Sequence, residues 1–200
     1  NSLDLVGKVI YLQYRREASD PEFSDIIAYG YIDHTAGLSF HALCAARLVD
    51  DSLETHDAFK ERLLTIRAGA LGEILCAQVS DSTLSDYSER IELVENIYNR
   101  DEGVKETRKI RFLDPLRHPL YPDDIQAILI TNNDIDGYEG VWVKLRYITN
   151  NTVFGELLND PYQKEYNVNA GTILPLAFRK SDEGIIAYAL ADNALEKNEA

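Results

Sequence analysis

Apolar residues occupy both faces of the segment 8–14, and a run of this kind predicts an interior strand. A second strand is expected at 25–32 and a third at 38–46, with a short helix as the alternative for 38–46. Farther along, apolar residues recur at alternating three- and four-residue spacing over 51–70 and 84–98, which predicts two amphipathic helices. The apolar face of each helix needs a partner, and a sheet is the expected one.

Each predicted helix has a defined apolar stripe. The first stripe consists of His56, Phe59, Leu63, Ile66 and Ala70, preceded by Asp51 or Ser52 as N-cap. The second consists of Leu84, Tyr87, Ile91, Val94 and Tyr98, with the Ser, Thr and Asp residues of 81–86 as caps. On the other side of the second helix we expect exposed Glu89, Arg90, Glu92 and Glu95. A short buried strand is expected within 74–79.

The second half of the chain is rich in predicted strands. A polar segment at 99–106 predicts a linker, and a proline-punctuated loop is expected at 114–124. The expected strands are 109–113, 125–131, 141–149, 152–158, 172–178 and 185–191. The fold class is therefore predicted as α+β, mostly antiparallel, with an α+β region of two helices over 1–100, a β-rich region over 107–191 and a flexible tail over 192–200.

A hairpin over 141–158 is the most specific local prediction. Asn150-Asn151 lies between two alternating runs, and Asn tolerates the positive φ that a type I′ turn requires. With Thr149 opposite Thr152, the predicted core face carries Val141, Val143, Leu145, Tyr147, Phe154 and Leu158. The opposite face is then a candidate binding surface, and it carries Trp142, Lys144, Arg146, Gly155, Leu157 and Asn159.

The charge of the chain narrows the class of partner. The net charge is −14, with 17 acidic residues in each of 1–100 and 101–200 against 9 and 11 basic residues, so the halves carry −8 and −6. Such a surface repels nucleic acid and anionic membranes and attracts basic proteins. No apolar run approaches the roughly 20 residues of a membrane span. We expect a cytoplasmic protein with neither nucleic acid nor membrane as partner, although a signal segment removed before Asn1 stays open.

The segment from Gly140 to Phe178 carries an ordered set of motifs. A Trp-Val strand at 140–143 leads to a strand with an internal Gly at 153–158, then to Asn-Asp-Pro-Tyr at 159–162 and a Gly-led strand at 171–176. This order resembles the YegJ-like family, a small bacterial domain of unknown function. The resemblance implies a curved antiparallel sheet with one or two helices, and related small domains recur among bacterial toxin-immunity proteins. It implies no catalytic residues.

The sequence contains no complete metal or catalytic motif that we recognise. The Asn-x-Asp-x-Asp-Gly run at 132–137 imitates the start of a calcium loop, but Val143 stands where a bidentate Glu is needed. His34, His41 and Cys44 lie close together, yet they lack the four tightly spaced ligands of a zinc site. On a strand, His41 and Cys44 would point to opposite faces, which argues against a Cys nucleophile with a His base.

The remaining chemistry-bearing residues favour simple structural roles. Cys44 and Cys76 are expected to be small buried residues without a disulfide, and His56 to be a partly buried helix residue. We therefore expect no metal and no cofactor. The chain also has 12 tyrosines, a residue type enriched at protein interfaces, and about half of them fall in core-like patterns.

These observations favour a non-enzymatic binding protein, plausibly an immunity or antagonist protein for a basic partner. The exposed side of the second helix, with Glu89, Glu92 and Glu95, is expected to form part of the binding surface. A purely structural subunit is a further alternative.

An enzyme or small-ligand-binding domain is the rival hypothesis. Its site would use the face that carries Trp142, Lys144 and Arg146, or the loop over 114–124.

Overall fold

The computed structural model describes residues 2–13, 23–50, 52–57, 59, 64–71, 76–79, 85–132, 137–182 and 184–195. Their contacts divide the chain into two compact units, 1–100 and 101–200. Both units are mostly β, with antiparallel sheets and few helices. Among the described residues, no helix is long and apolar enough to span a membrane.

In the first unit, the described residues form a six-stranded antiparallel sheet and one α-helix. Its elements are β1 (Val9–Leu12), β2 (Asp25–Asp33), β3 (Gly37–Val49), β4 (Ser52–His56), β5 (Thr65–Arg67), β6 (Cys76–Gln78) and α1 (Ser88–Tyr98), with 3-10 turns at Ser2–Leu5, Ala68–Ala70 and Ser85–Tyr87. The strand order is β4-β3-β2-β1-β6, and β5 also pairs with β3.

Both faces of this sheet are covered. One core contains Ile27 and Leu43 and packs against α1 through Val94. The opposite core contains Ile10 and Phe40 and packs against the segments around Leu5, Phe59 and Leu64. Burial on both sides explains why every residue of β2 is buried and why its sequence is apolar without alternation.

The helix predicted over 51–70 is wrong. The described residues of this segment form β4, β5 and a 3-10 turn instead. Because β3 is long, its open edge offers backbone N–H and C=O groups that these short strands satisfy, and this pairing outweighs local helix propensity. Phe59 and Ile66 still pack in the same core, so two residues of the predicted apolar stripe come together without a helix. Residues 58 and 60–63, Leu63 among them, lie outside the described residues.

Other predictions for the first unit are confirmed in outline and corrected in detail. Segment 38–46 is a strand rather than the alternative helix. The second helix is present as α1 with its apolar stripe inward, but its N-cap is Tyr87, whose side chain makes no capping hydrogen bond; residues 81–84 are outside the described set. The strand within 74–79 is present as β6, yet it is an exposed edge strand, so Cys76 is exposed rather than buried.

The second unit is a small closed barrel preceded by a helix. Its elements are α2 (Glu102–Arg108), β7 (Asp124–Ile130), β8 (Glu139–Thr149), β9 (Thr152–Leu157), β10 (Ile173–Ser181) and β11 (Gly184–Leu190), with 3-10 turns at Arg111–Leu116, Lys164–Tyr166 and Ala191–Asn193. The barrel order is β10-β11-β7-β8-β9; neighbours are antiparallel except β11 and β7, which pair in parallel.

Two elements before the barrel differ from prediction. The expected linker contains α2, whose first turn is capped by the Asp101 side chain through a 3.1 Å hydrogen bond from the Val104 N–H. The strand expected over 109–113 is mostly replaced by the 3-10 turn at Arg111–Leu116. Leu113 is fully buried in the barrel core.

The hairpin is confirmed, but a β-bulge changes its faces. Asn150 and Asn151 have φ angles of 48° and 60°, and Thr149 pairs with Thr152 as predicted. Arg146 is an extra residue between Leu145, which pairs with Gly155, and Tyr147, which pairs with Phe154.

The bulge decides which residues of β9 enter the core. The core face therefore takes Val153, Gly155 and Leu157, whereas Phe154 is only partly buried and Leu158 is exposed. The prediction that Phe154 and Leu158 are core, with Gly155 and Leu157 outside, is wrong.

We predict that Gly155→Ala destabilises the barrel while Gly140→Ala does not. A Cβ at Gly155 would lie 2.2 Å from Cγ1 of Val143, which is fully buried and cannot move aside. We expect a loss of about 1–3 kcal/mol in the free energy of unfolding, measured with urea. A Cβ at Gly140 meets no atom within 4 Å, so the matched variant should stay within about 0.5 kcal/mol of wild type. Equal stability of the two variants would contradict the packing.

Candidate functional site

The outer face of the barrel along β8 carries the side chains predicted to bind a ligand. Gly140, Trp142 and Lys144 alternate along β8 with the buried Val141 and Val143 and therefore share the outward side. The Trp142 ring is only partly buried and packs edge-on to His118 at 5.2 Å between centroids. The strand position of Trp142 is fixed by hydrogen bonds at 3.0 Å and 2.9 Å with Asn159 and the Leu158 N–H.

The cations of this face are matched by carboxylates. Lys144 lies between Asp124 on β7 and Glu156 on β9 in the strand register. Arg146, at the bulge, lies 3.6 Å from both Asp101 and Glu156. The structure thus brings Trp142, Lys144 and Arg146 onto one side but leaves no surplus positive charge there for an anionic ligand.

The two successive aspartates at the start of β7 have different roles. Asp123 is buried and accepts two 2.8 Å hydrogen bonds from the guanidinium of Arg108. Asp124 is on the outer side near Lys144 and His118, because neighbouring residues entering a strand point to opposite faces. Burial raises the pKa of Asp124 to about 6, against the lowering effect of Lys144.

Sequence reasoning covered this acidic pair only as part of the loop expected at 114–124. It also missed Arg117, whose buried side chain donates 2.7 Å hydrogen bonds to the carbonyls of Thr107 and Pro122 and so fixes the loop before β7. The sequence does show an Asp-Asp pair directly before an apolar strand. The different roles of the two aspartates could not be predicted from it, because they depend on which residue begins β7.

One end of the barrel presents tyrosines to solvent on a fixed backbone. Tyr138 and Tyr162 are 85% and 92% exposed, and Leu158, whose N–H donates to the Trp142 carbonyl, is 41% exposed. The Glu139 carboxylate accepts hydrogen bonds from the Tyr162 and Gln163 N–H groups at 2.5 and 3.2 Å, which ties the two tyrosine-bearing segments together.

The same end carries two carboxylates without a matching cation. Asp160 accepts a 2.8 Å hydrogen bond from the Ala170 N–H, and neither Asp160 nor Glu139 takes part in an ion pair within the described part of the chain. Among the described residues, no Lys or Arg lies within ion-pair distance of either carboxylate. We call Tyr138, Glu139, Leu158, Asp160 and Tyr162 the tyrosine surface.

The acidic side of α1, in the first unit, is only partly free. Glu89 and Glu92 are exposed as predicted. Glu95 is not, because it accepts a 2.7 Å hydrogen bond from the hydroxyl of the buried Tyr29 and a 2.5 Å bond from Asn99. The expectation that Glu95 is exposed is therefore wrong, and its part in binding stays a prediction.

Arg90 was also predicted to be exposed, and it too supports the fold. Its guanidinium donates hydrogen bonds to the backbone carbonyls of Ala42, Leu43 and Phe59 at 2.7–3.1 Å.

The candidate nucleophile in the first unit lacks the chemistry it would need. A bulge at Leu43 places His41 opposite Tyr29 and Cys44 opposite Ile27, so both face the same core, contrary to prediction. Burial raises the pKa of the Cys44 thiol and, together with Arg90, lowers the pKa of His41. A neutral thiol is a poor nucleophile. The buried His41 Nε2 has no hydrogen-bond partner among the residues that the structure describes.

Metal ligands are not assembled in the part of the chain that the structure describes. No group of three or more His, Cys, Asp or Glu side chains there could hold a metal ion. The central residues of the 132–137 turn, 133–136, lie outside the described residues. The expectation of no metal stays a prediction.

Comparisons of the chain with protein-family models, curated proteins and solved structures returned no match. The resemblance of residues 140–178 to the YegJ-like family stays a prediction. The function is therefore inferred from the arrangement of the side chains.

We predict that Asp124→Asn removes a pH-dependent loss of stability. Because the folded pKa of about 6 exceeds the ordinary 3.8, the folded state holds its proton more tightly, and wild-type stability should fall as the pH rises from about 4 to about 6. Asn mimics the neutral acid, so the variant should lack this fall and gain about 2 kcal/mol over wild type at neutral pH. Urea unfolding across this pH range measures both. Parallel pH profiles would refute the raised pKa.

We predict that Glu95→Ala destabilises the first unit, whereas Glu92→Ala does not. Loss of Glu95 leaves the Tyr29 hydroxyl buried without its acceptor, which costs about 1–3 kcal/mol. Glu92 is exposed and serves as the matched control. In a Tyr29→Phe background, Glu95→Ala should have a much smaller effect, because the donor is already gone. An equal effect in both backgrounds would mean that the hydrogen bond is not the cause.

Proposed function

We propose that the protein binds a basic protein partner through the tyrosine surface. The observation that carries the proposal is the exposure of Tyr138 and Tyr162, at 85% and 92%, on segments joined by Glu139. Large side chains held in solvent on an ordered backbone contribute nothing evident to the core. Grouped exposed apolar surface is a mark of interaction sites.

The chemistry of the tyrosine surface favours cationic side chains. A tyrosine ring attracts Lys and Arg through its negative face. Because hydrogen bonds to Glu139 hold the backbone at Tyr162, less conformational entropy is lost on binding. Glu139 and Asp160, which lack ion pairs in the described part of the chain, add a negative potential beside the rings. The same combination disfavours anionic ligands.

Long-range charge supports the same class of partner. The full chain carries −14, and residues 101–200 carry 17 acidic against 11 basic side chains. A field of this sign accelerates the encounter with a basic protein. Glu89 and Glu92 on α1 are exposed and contribute to that field, whereas Glu95 is engaged with Tyr29.

The rival proposal, a small-ligand or enzymatic site around Trp142, Lys144 and Arg146, has weaker support. Both cations face carboxylates, which leaves no charge for an anionic substrate. The resemblance to the YegJ-like family favours an immunity or antagonist protein of the cytoplasm, and we include this role in the proposal.

We predict that a short Lys- and Arg-rich peptide binds the protein and that Tyr138→Ala with Tyr162→Ala weakens this binding by about tenfold. The association rate, measured by stopped-flow fluorescence, should fall steeply with salt while the dissociation rate changes little. Leu93→Ala, at an exposed apolar position of α1, is the control and should bind as wild type does.

Two results would contradict the proposed function. One is equal binding of an Asp- and Glu-rich peptide of the same length. The other is unchanged affinity of the double tyrosine variant for the basic peptide.

A further inference from the structure

An open, mostly apolar groove lies between β7 and β11 of the barrel and reaches the buried Ala127 and Ala187. These strands pair only from Ile128 with Tyr188 to Ile130 with Leu190, so their preceding residues diverge. The gap has a volume of about 310 Å³. Its lining is mostly apolar and includes Leu116, Gln126, Ile128, Gly140, Ile185 and Ile186.

The groove adjoins the tyrosine surface. Gly140 lines the groove, pairs with Ile128, and lies on β8 two positions from both the exposed Tyr138 and the outward Trp142. A Cβ at Gly140 would meet no atom of the described residues within 4 Å. The groove is therefore open at Gly140, and the next residue, Glu139, belongs to the tyrosine surface, so a bound segment could contact both.

The size and chemistry of the groove restrict its occupant. A volume of 310 Å³ is at the lower end of ligand pockets, about 300–1,000 Å³, and suits one or two apolar side chains. Residues 196–200 have the sequence Glu-Lys-Asn-Glu-Ala, which offers no large apolar side chain. A second copy of the chain would also carry −14 and be repelled.

We propose that this groove receives an apolar anchor side chain, Leu-like in size, from the basic partner, with the cationic residues flanking it on the tyrosine surface. The inference rests on the proposed function, since it takes the same partner and extends the same surface. Buried apolar anchors ringed by polar contacts carry most of the energy in typical interfaces. The Lys and Arg residues would then speed association, and the anchor would slow dissociation.

Two peptides that differ at one position test the groove. Both are rich in Lys and Arg, and the central residue is Leu in one and Ser in the other. We expect the Leu peptide to bind wild type about tenfold more tightly, a difference of about 1.4 kcal/mol, mainly through slower dissociation. Gly140→Leu should fill the groove and abolish this preference while leaving the binding of the Ser peptide unchanged.

Control variants separate the possible outcomes. Thr149→Leu, at an exposed position at the far end of β8, should keep the preference for Leu, and urea unfolding checks that both variants are folded. If neither peptide binds wild type, the proposed function fails and the groove inference with it. If both bind wild type equally, only the groove inference fails. It also fails if a folded Gly140→Leu still prefers the Leu peptide.

Discussion

The single extra residue in β8 is the constraint on which the second unit depends. With Arg146 inserted, Leu157 instead of Leu158 becomes a core residue, and Gly155 comes to lie against Val143 where no larger residue fits. Helix α2 also packs against this bulge. Gly103 approaches it so closely that a Cβ there would lie 2.6 Å from the Arg146 carbonyl oxygen. Barrel register and helix docking are therefore set by one local irregularity.

Charge is distributed unequally around this barrel. On the outer face of β8 and β9, Lys144 and Arg146 are balanced by carboxylates, so that region contributes little net field. At the end with Tyr138 and Tyr162, the neighbouring carboxylates accept hydrogen bonds from backbone N–H groups instead. Backbone donors orient a carboxylate without cancelling its full charge. Composition assigns the net negative charge to the whole chain. The structure shows that unpaired carboxylates of the described residues lie at the end of the barrel with Tyr138 and Tyr162.

The sequence predicted local features well where the determinants are local. The Asn150-Asn151 turn follows from the tolerance of Asn for positive φ, and the interior strand β1 follows from the apolar run at 8–14. The bulge could not be predicted, because nothing in Leu145-Arg146-Tyr147 marks it, and a close contact with a distant glycine accompanies it. The apolar spacing of 51–70 gave a wrong helix, because the open edge of β3 recruits that segment. The candidate surface was missed because composition does not tell which of 12 tyrosines a fold leaves uncovered.

The parallel pairing of β11 with β7 has a kinetic consequence. It joins Ile128 to Tyr188, so the barrel closes through residues 60 positions apart, and contacts between such distant segments form slowly. During synthesis, β7 to β10 emerge before β11. Until β11 docks, the edges of β7 and β10 that pair with it stay unpaired, and apolar residues next to them stay exposed. The groove between β7 and β11 exists only after this strand docks. The nascent chain therefore forms this groove only after the residues up to Leu190 have been made.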